Sequence, residues 1–284
     1  MWWIKLTAFS VNDDLPVVLI TGCSSGIGEA TAIDFAQAGY RVYATMRDPS
    51  SISDTLKEIL QESAGHKVLS LDVDDSASVK MAVTKVQEES GRIDILINNA
   101  GISSISSVEE IKMEEAKAVF ETNLFGVLRV TQAVMPGMRG RRGGTIVNVS
   151  SVAGRLVTAG HGIYAASKHA LEAISESLAI ETKSFGVRVI LIEPGFISTA
   201  ILNKADSVIV EDTPYVEHLT RLIGMYKEAQ LTAASPEVVA ESILKAVNDP
   251  SGRLRYVVGS EAQCRLDERK LLTDQEWINK TFLN

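Results

Sequence analysis

The sequence predicts a doubly wound α/β fold, a parallel sheet covered by helices on both faces to give three α/β/α layers in one domain. Three observations carry this. Short β-rich runs recur along the 284 residues, segments of helical spacing lie between them, and several runs are apolar almost without a break. Val17-Val18-Leu19-Ile20 and Val189-Ile190-Leu191-Ile192 are of this last kind. Strands buried on both faces look like that, whereas a half-solvated strand alternates.

Taken in order, the strand runs are Val17 to Gly22, Arg41 to Arg47, Lys67 to Val73, Ile93 to Asn98, Thr145 to Ser150, Arg188 to Glu193 and Tyr256 to Gly259. The first intervening segment carries Ile33, Phe35 and Ala36; the third carries Val79, Ala82, Val83 and Val86, at helical steps of three and four. His161 to Phe185 is helical in character, and Ser235-Pro236 offers an N-cap and a first-turn proline before Val238, Val239, Ile243, Leu244 and Val247. No Pro/Ser-rich linker splits the chain, so a single domain is expected over 16–284, after an N-terminal extension at 1–15. The stretch 198–234 fits the alternation least and is long for a connection, so it reads as a substrate loop or lid.

Composition excludes other classes. Hydrophobic residues make up 45% of the chain, enough for a large core, and 28 basic against 36 acidic residues leave a net charge of −8. That balance argues against nucleic acid or an anionic membrane as the main partner. The dense basic run Arg139-Gly140-Arg141-Arg142-Gly143-Gly144 reads as a solvated loop because of its glycines. Cys23 and Cys264 show no CxxC spacing, and His66, His161, His169 and His218 form no HExxH-type pair, so neither a disulfide framework nor a metal is signalled. No apolar stretch approaches the ~18 residues a membrane span needs, and Trp2 and Trp3 read as a terminal arm. A reducing, soluble compartment, the cytoplasm, is expected.

The first strand runs into Thr21-Gly22-Cys23-Ser24-Ser25-Gly26-Ile27-Gly28 and then directly into a helical segment. Glycines there permit a tight turn and let the backbone approach a pyrophosphate at the positive end of the helix. The second strand ends in Arg47 where an acid would bind a ribose hydroxyl, so a 2′-phosphate and hence NADP(H) is favoured over NAD. The competing reading of Arg47 is a surface pair with Asp48. Further on, Tyr164 and Lys168 lie four apart in the helical segment, so both project from one face. A free tyrosine has a pKa of ~10, and an ammonium a few Å away would lower it by roughly one to three units. Ser151 closes the fifth strand and can hold a substrate oxygen against the tyrosine.

In company, these motifs resemble the single-domain TGxxxGxG/YxxxK branch of the short-chain dehydrogenase/reductase family, over about Val17 to Gly259. The resemblance implies a Rossmann fold and a cofactor site built from Gly22, Ser24, Ser25, Gly26, Ile27, Gly28 and Arg47. It adds Asp72-Val73 at the adenine, Asn98-Asn99-Ala100-Gly101 along the cofactor, and Pro194-Gly195, Ile197 and Thr199 beside the nicotinamide. It implies a catalytic tetrad of Asn123, Ser151, Tyr164 and Lys168. Tyr164 is then the general acid/base, Ser151 binds the substrate oxygen, Lys168 supports the tyrosinate and binds the nicotinamide ribose, and Asn123 supports a relay water. Hydride passes between NADP(H) and the carbon of a ketone, aldehyde or alcohol. The local sequence is most like hydroxysteroid and retinol dehydrogenase-like members. An apolar substrate would meet Phe196, Ile197, Ile201, Leu202 and Tyr215 in the variable loop, unless these residues simply pack the lid. His161 is near enough to Tyr164 to reach substrate or to do nothing special, and Cys23 reads as packing. The resemblance also implies a homodimer or homotetramer. Two other readings share the fold: a non-catalytic dinucleotide sensor, which intact Ser, Tyr and Lys disfavour, and a dehydratase or epimerase, for which 198–234 is too short a substrate domain.

Overall fold

The computed structural model describes residues 15–62, 65–199 and 212–283. The N-terminal extension through residue 14 and the lid segment 200–211, with Ile201 and Leu202, lie outside the described residues. Seven parallel strands form one sheet: β1 (Val17–Thr21), β2 (Arg41–Met46), β3 (Lys67–Ser70), β4 (Ile95–Asn98), β5 (Gly144–Val149), β6 (Val187–Pro194) and β7 (Arg255–Val258). Their order is β3-β2-β1-β4-β5-β6-β7. The chain winds outward from β1 in one direction and from β4 in the other, which opens a crevice at the carboxyl ends of β1 and β4.

The helices are α1 (Gly26–Gln37), α2 (Asp54–Gln61), α3 (Ser76–Ser90), α4 (Met113–Phe120), α5 (Val127–Arg141), α6 (Gly162–Thr182), α7 (Val216–Thr232), α8 (Pro236–Asn248), α9 (Ser260–Leu271) and α10 (Asp274–Leu283). Strand alternation divides the core in two. Val18 and Ile20 of β1 join one cluster with Phe35 of α1, Leu56 of α2 and Val239 and Ile243 of α8. Val17 and Leu19 join the other with Val79, Val83 and Val86 of α3 and Val130, Val134 and Met138 of α5. Each such side chain contributes ~1.5–3 kcal/mol by leaving water, so the doubly covered sheet is the rigid part from which the loops project.

All seven predicted strands are present within three residues of their expected ends, with β3 the most shortened: Asp72 and Val73 lie in the loop after it. One expectation needs correction. The basic run is not a loop throughout: α5 continues to Arg141 and turns only at left-handed Arg142. Its arginines are used as donors, Arg141 to the Ile93 carbonyl at 2.6 Å and Arg142 to the Ser184 carbonyl at 2.8 Å. The stretch 198–234, expected to be a lid, contains a helix, α7, whose Leu219, Leu222 and Tyr226 are buried. As expected, Ser235 stands at the N-cap of α8 with Pro236 in the first turn; its side chain makes no capping bond. Among the described residues no helix is long and apolar enough to cross a membrane.

Candidate active site

The β1–α1 turn is built around three glycines with no room for side chains. Gly22 sits at φ +74°, and a Cβ there would stand 2.8 Å from the Ala100 Cα. Gly26 sits at φ +63°, where a Cβ would stand 3.3 Å from the Thr199 methyl, and a Cβ on Gly28 would lie 2.2 Å from the Gly22 carbonyl oxygen. The turn is tied to the end of β4. Asn99 Nδ2 donates to the Thr21 and Gly22 carbonyls at 3.0 and 3.1 Å, while the Asn99 and Ala100 N–H groups donate to Thr21 Oγ1 at 3.0 and 3.1 Å. Ser25, the N-cap of α1, is extended and its hydroxyl makes no cap bond, so the first-turn N–H donors stay open to an anion.

Beneath the crevice, Asn98 Nδ2 donates to Asn148 Oδ1 at 2.8 Å, and Asn148 Nδ2 donates to Ser175 Oγ at 2.8 Å. These fully buried links lock β4, β5 and α6 in register, and α6 carries Tyr164 and Lys168. Ser151 follows β5; its Oγ accepts from the Ala153 N–H at 3.1 Å and approaches the Pro194 carbonyl at 3.4 Å. Lys168 Nζ donates to the Val149 carbonyl at 2.8 Å and lies 5.8 Å from the Tyr164 ring centroid.

The electrostatics differ from the sequence expectation. Burial pushes the Tyr164 phenol up to about 12, against the pull of its Ser151 hydrogen bond. Burial pushes Lys168 down to about 8, with Glu172 one turn on opposing that. Desolvation therefore outweighs any lowering of the tyrosine by the ammonium, which is spent on the Val149 carbonyl. Tyr164 is protonated at neutral pH, the state of a proton donor.

A cleft of roughly 430 Å³ runs from the glycine turn to α7 and α9. Of the sequence-predicted residues its wall holds Gly22, Ser24, Ser25, Gly26, Ile27, Arg47, Asp72, Val73, Asn99, Ala100, Gly101, Ser151, Tyr164, Lys168, Pro194, Gly195, Ile197 and Thr199. Gly28 is beneath the wall. Asn123 is behind it, fully buried in a π-helical stretch, Glu121–Gly126, between α4 and α5. Its Oδ1 accepts from the Ile102 N–H at 2.8 Å, and its Nδ2 donates to the Ile102 carbonyl at 2.9 Å and Ser167 Oγ at 3.1 Å. The side chain thus pins the loop after β4 to α6. Arg47 is exposed and makes no ion pair among the described residues; Asp48 instead accepts from the Ser50 N–H and hydroxyl.

The cradle fits a dinucleotide: backbone reaches the crevice where side chains cannot stand, helix donors face it, and a cation closes its rim. The chain matches the family described as short chain dehydrogenase over residues 16–208. The chain belongs to the short-chain dehydrogenase/reductase family. Its enzymes act on CH–OH groups with NAD(P). A 3-ketodihydrosphingosine reductase of Bacteroides thetaiotaomicron is 34% identical over 250 residues, 87% of this chain and 89% of that one. A 17-beta-hydroxysteroid dehydrogenase type 1 of Mus musculus is 37% identical over 254 residues, 86% of this chain and 73% of that one. Among solved structures, a short-chain dehydrogenase/reductase of Burkholderia phymatum in complex with NAD superposes with a TM-score of 0.80 at 26% identity, covering 91% of this chain and 94% of that one.

The end of this cleft toward α7 and α9 is where sequence reasoning missed most. Phe196 and Ile197 line it, joined by Leu156, Thr158, His161, Leu222, Met225, Tyr226 and Arg265. Tyr215 is not in the wall; its hydroxyl donates to Glu109. His161 is buried and stacked on Tyr164, with centroids 4.4 Å apart and planes at 11°. The one legible signal was the Leu219, Leu222, Tyr226 spacing of three and four, which marks a helix face inside the stretch read as a lid. Cys23 is fully buried with its thiol pushed up to about 12 by desolvation, in keeping with a packing role.

Proposed function

We propose that this chain is an NADP(H)-dependent carbonyl reductase and alcohol dehydrogenase, with Tyr164 as the general acid/base. The observation that carries the reading is the convergence of Ser151, Tyr164 and Lys168 on the cleft whose opposite end is the glycine turn rimmed by Arg47. Bound nicotinamide supplies or accepts the hydride. Gly22, Ser24, Ser25, Gly26, Ile27 and Gly28 receive the pyrophosphate, and Arg47 with Ser24 reads the 2′-phosphate. Asp72, Val73, Asn99, Ala100 and Gly101 border the adenine half; Pro194, Gly195, Ile197 and Thr199 border the nicotinamide.

In the reducing direction Ser151 holds the substrate oxygen while Tyr164 gives it a proton. Lys168 supports the resulting tyrosinate, which a side chain pushed toward a high pKa could not otherwise bear. Asn123 acts by position, holding α6 and the loop after β4. Oxidation runs the same groups in reverse. The chemistry occupies one domain over 16–284 with 198–234 as its lid. The apolar wall and the relatives named for a ketosphingoid and a hydroxysteroid both favour a hydrophobic ketone or alcohol. NAD is the second reading, since the Burkholderia phymatum relative was solved with it.

Titration of the purified chain with NADPH and with NADH, followed by energy transfer from tryptophan to the bound reduced nicotinamide, tests this. NADPH is expected to bind at least roughly ten-fold tighter, the gain a charge-assisted phosphate contact brings, and Arg47→Asp is expected to abolish the preference. Preference for NADH would overturn the Arg47 assignment, and binding of neither by the folded chain would overturn the oxidoreductase reading.

A further inference from the structure

Beyond Tyr164 the cleft ends in polar side chains that the acid/base chemistry leaves unused. His161 meets two hydroxyls: Nε2 is 2.8 Å from Ser103 Oγ, and Tyr226 Oη is 2.9 Å from Nδ1, its nearer nitrogen, and 3.2 Å from Nε2. Burial pushes the imidazole down to about 4, so at neutral pH the ring has one N–H and one lone pair. Two arrangements satisfy it. With the proton on Nδ1, the ring donates to Tyr226 Oη and accepts the Ser103 proton, which leaves the Tyr226 O–H to serve a ligand. With the proton on Nε2, the donors reverse and Tyr226 gives its proton to the ring. An acceptor in the cleft beside Tyr226 selects the first.

Arg265 stands in the same wall. It projects from α9, is half-buried, and forms no ion pair or hydrogen bond among the described residues. Its charge is felt at Tyr226, where it opposes the upward push of burial on the phenol. The same wall holds the apolar Leu156, Phe196, Leu222 and Met225. A guanidinium in such surroundings gains most from an anion, which it binds through paired N–H donors. The acidic chain, net −8, offers a negative substrate no general attraction, so selection of an anion has to be local.

We propose that Arg265 and Tyr226 form a subsite for an anionic group, a carboxylate or a phosphate monoester, on the substrate. The substrate is then an apolar ketone or alcohol with a negatively charged end. This rests on the reading of the cleft as an oxidoreductase site and deepens it.

Calorimetric titration of the full chain, with and without saturating NADPH, with decanoate, decyl phosphate and neutral decanamide tests the subsite. At least one of the two anions is expected to bind roughly ten-fold tighter than the amide or better, and which one does so separates carboxylate from phosphate. Arg265→Gln is expected to remove that advantage, Arg265→Lys to keep part of it, and Tyr226→Phe to reduce it several-fold, with thermal midpoints checking that each variant is folded. Anions binding no tighter than decanamide, or an advantage that survives in Arg265→Gln, would overturn the subsite. An intact anion advantage in a chain that binds neither NADPH nor NADH would strike the oxidoreductase reading and leave the subsite standing.

Discussion

At the scale of single residues, the site turns on what burial does to ionisable groups. Tyr164 keeps its proton because desolvation penalises the phenolate more than Ser151 relieves it. Removing the hydroxyl should therefore cost the proton transfer and little else. Tyr164→Phe is expected to lower turnover of a ketone substrate by ~10²–10⁴-fold, the usual worth of positioned acid-base catalysis, while the dinucleotide titrates as before. Near-native turnover in that variant would remove the tyrosine from its role. The stacked neighbour His161 makes a separate prediction, on stability. Its pKa falls from 6.5 to about 4 on folding, so between those values the unfolded chain binds a proton that the folded chain refuses. Stability rises with pH wherever the unfolded state holds more protons. Hence this contribution is intact above pH 6.5 and is lost as pH falls toward 4, by an amount on the order of a few kcal/mol. Urea unfolding at stepped pH should show a shallower acid loss in His161→Phe than in the parent chain; equal slopes would mean that the imidazole titrates freely.

At the scale of elements, the β1–α1 turn concentrates the constraints. A methyl at Gly28 would collide with the Gly22 carbonyl oxygen, backbone that cannot swing aside, and also with Asn99 Nδ2 at 2.4 Å. Gly28→Ala is expected to weaken dinucleotide binding by at least roughly ten-fold and to destabilise the fold by ~1–3 kcal/mol, as overpacking does; unchanged affinity with unchanged stability would show that the turn yields. This turn was legible in the sequence because its chemistry is local: a strand, a glycine spacing and a helix within a dozen residues. The central strands were legible for the same reason, since burial on both faces writes a continuous apolar run, as in Val17 to Ile20 and Val189 to Ile192. The substrate wall was not. His161, Tyr226 and Arg265 come from α6, α7 and α9, and nothing in their own neighbourhoods shows that they meet. Arg139 to Gly144 misled because glycine was read as a break. A helix held by its neighbours accepts Gly140 in its last turn, where Arg141 is fastened to the Ile93 carbonyl. The tyrosine's pKa also misled, since spacing on a helix fixes proximity but not how much water two side chains lose.

At the scale of the whole molecule, the asymmetry between the two sides of the sheet bears on assembly. α1 and α8 are packed against each other over the first core. On the other side α5 and α6 leave a groove between them where Val127, Leu128, Met135, Pro136, Ile174 and Leu178 alternate with polar residues such as Gln132, Arg139 and Glu181. Ile180, near the end of α6, is 74% exposed and Phe125, in the π-helical stretch just before α5, is 46% exposed. Apolar side chains gathered along two adjacent helices invite burial against a like surface, and a twofold axis through such a groove brings each helix pair onto its own copy. Asn123, just before α5, is bonded to Ser167 of α6 beside Lys168, so pairing would stiffen the end of the helix pair from which Tyr164 and Lys168 project. Light scattering is therefore expected to give a mass of two or four chains, and Leu128→Glu with Ile174→Glu to shift it to one. The variant's turnover should fall with its mass, because α6 would lose an outer support while its inner links to Asn148 and Asn123 persist. A parent chain with the mass of one molecule would leave the groove solvated and assign the rigidity of α6 to those inner hydrogen bonds alone.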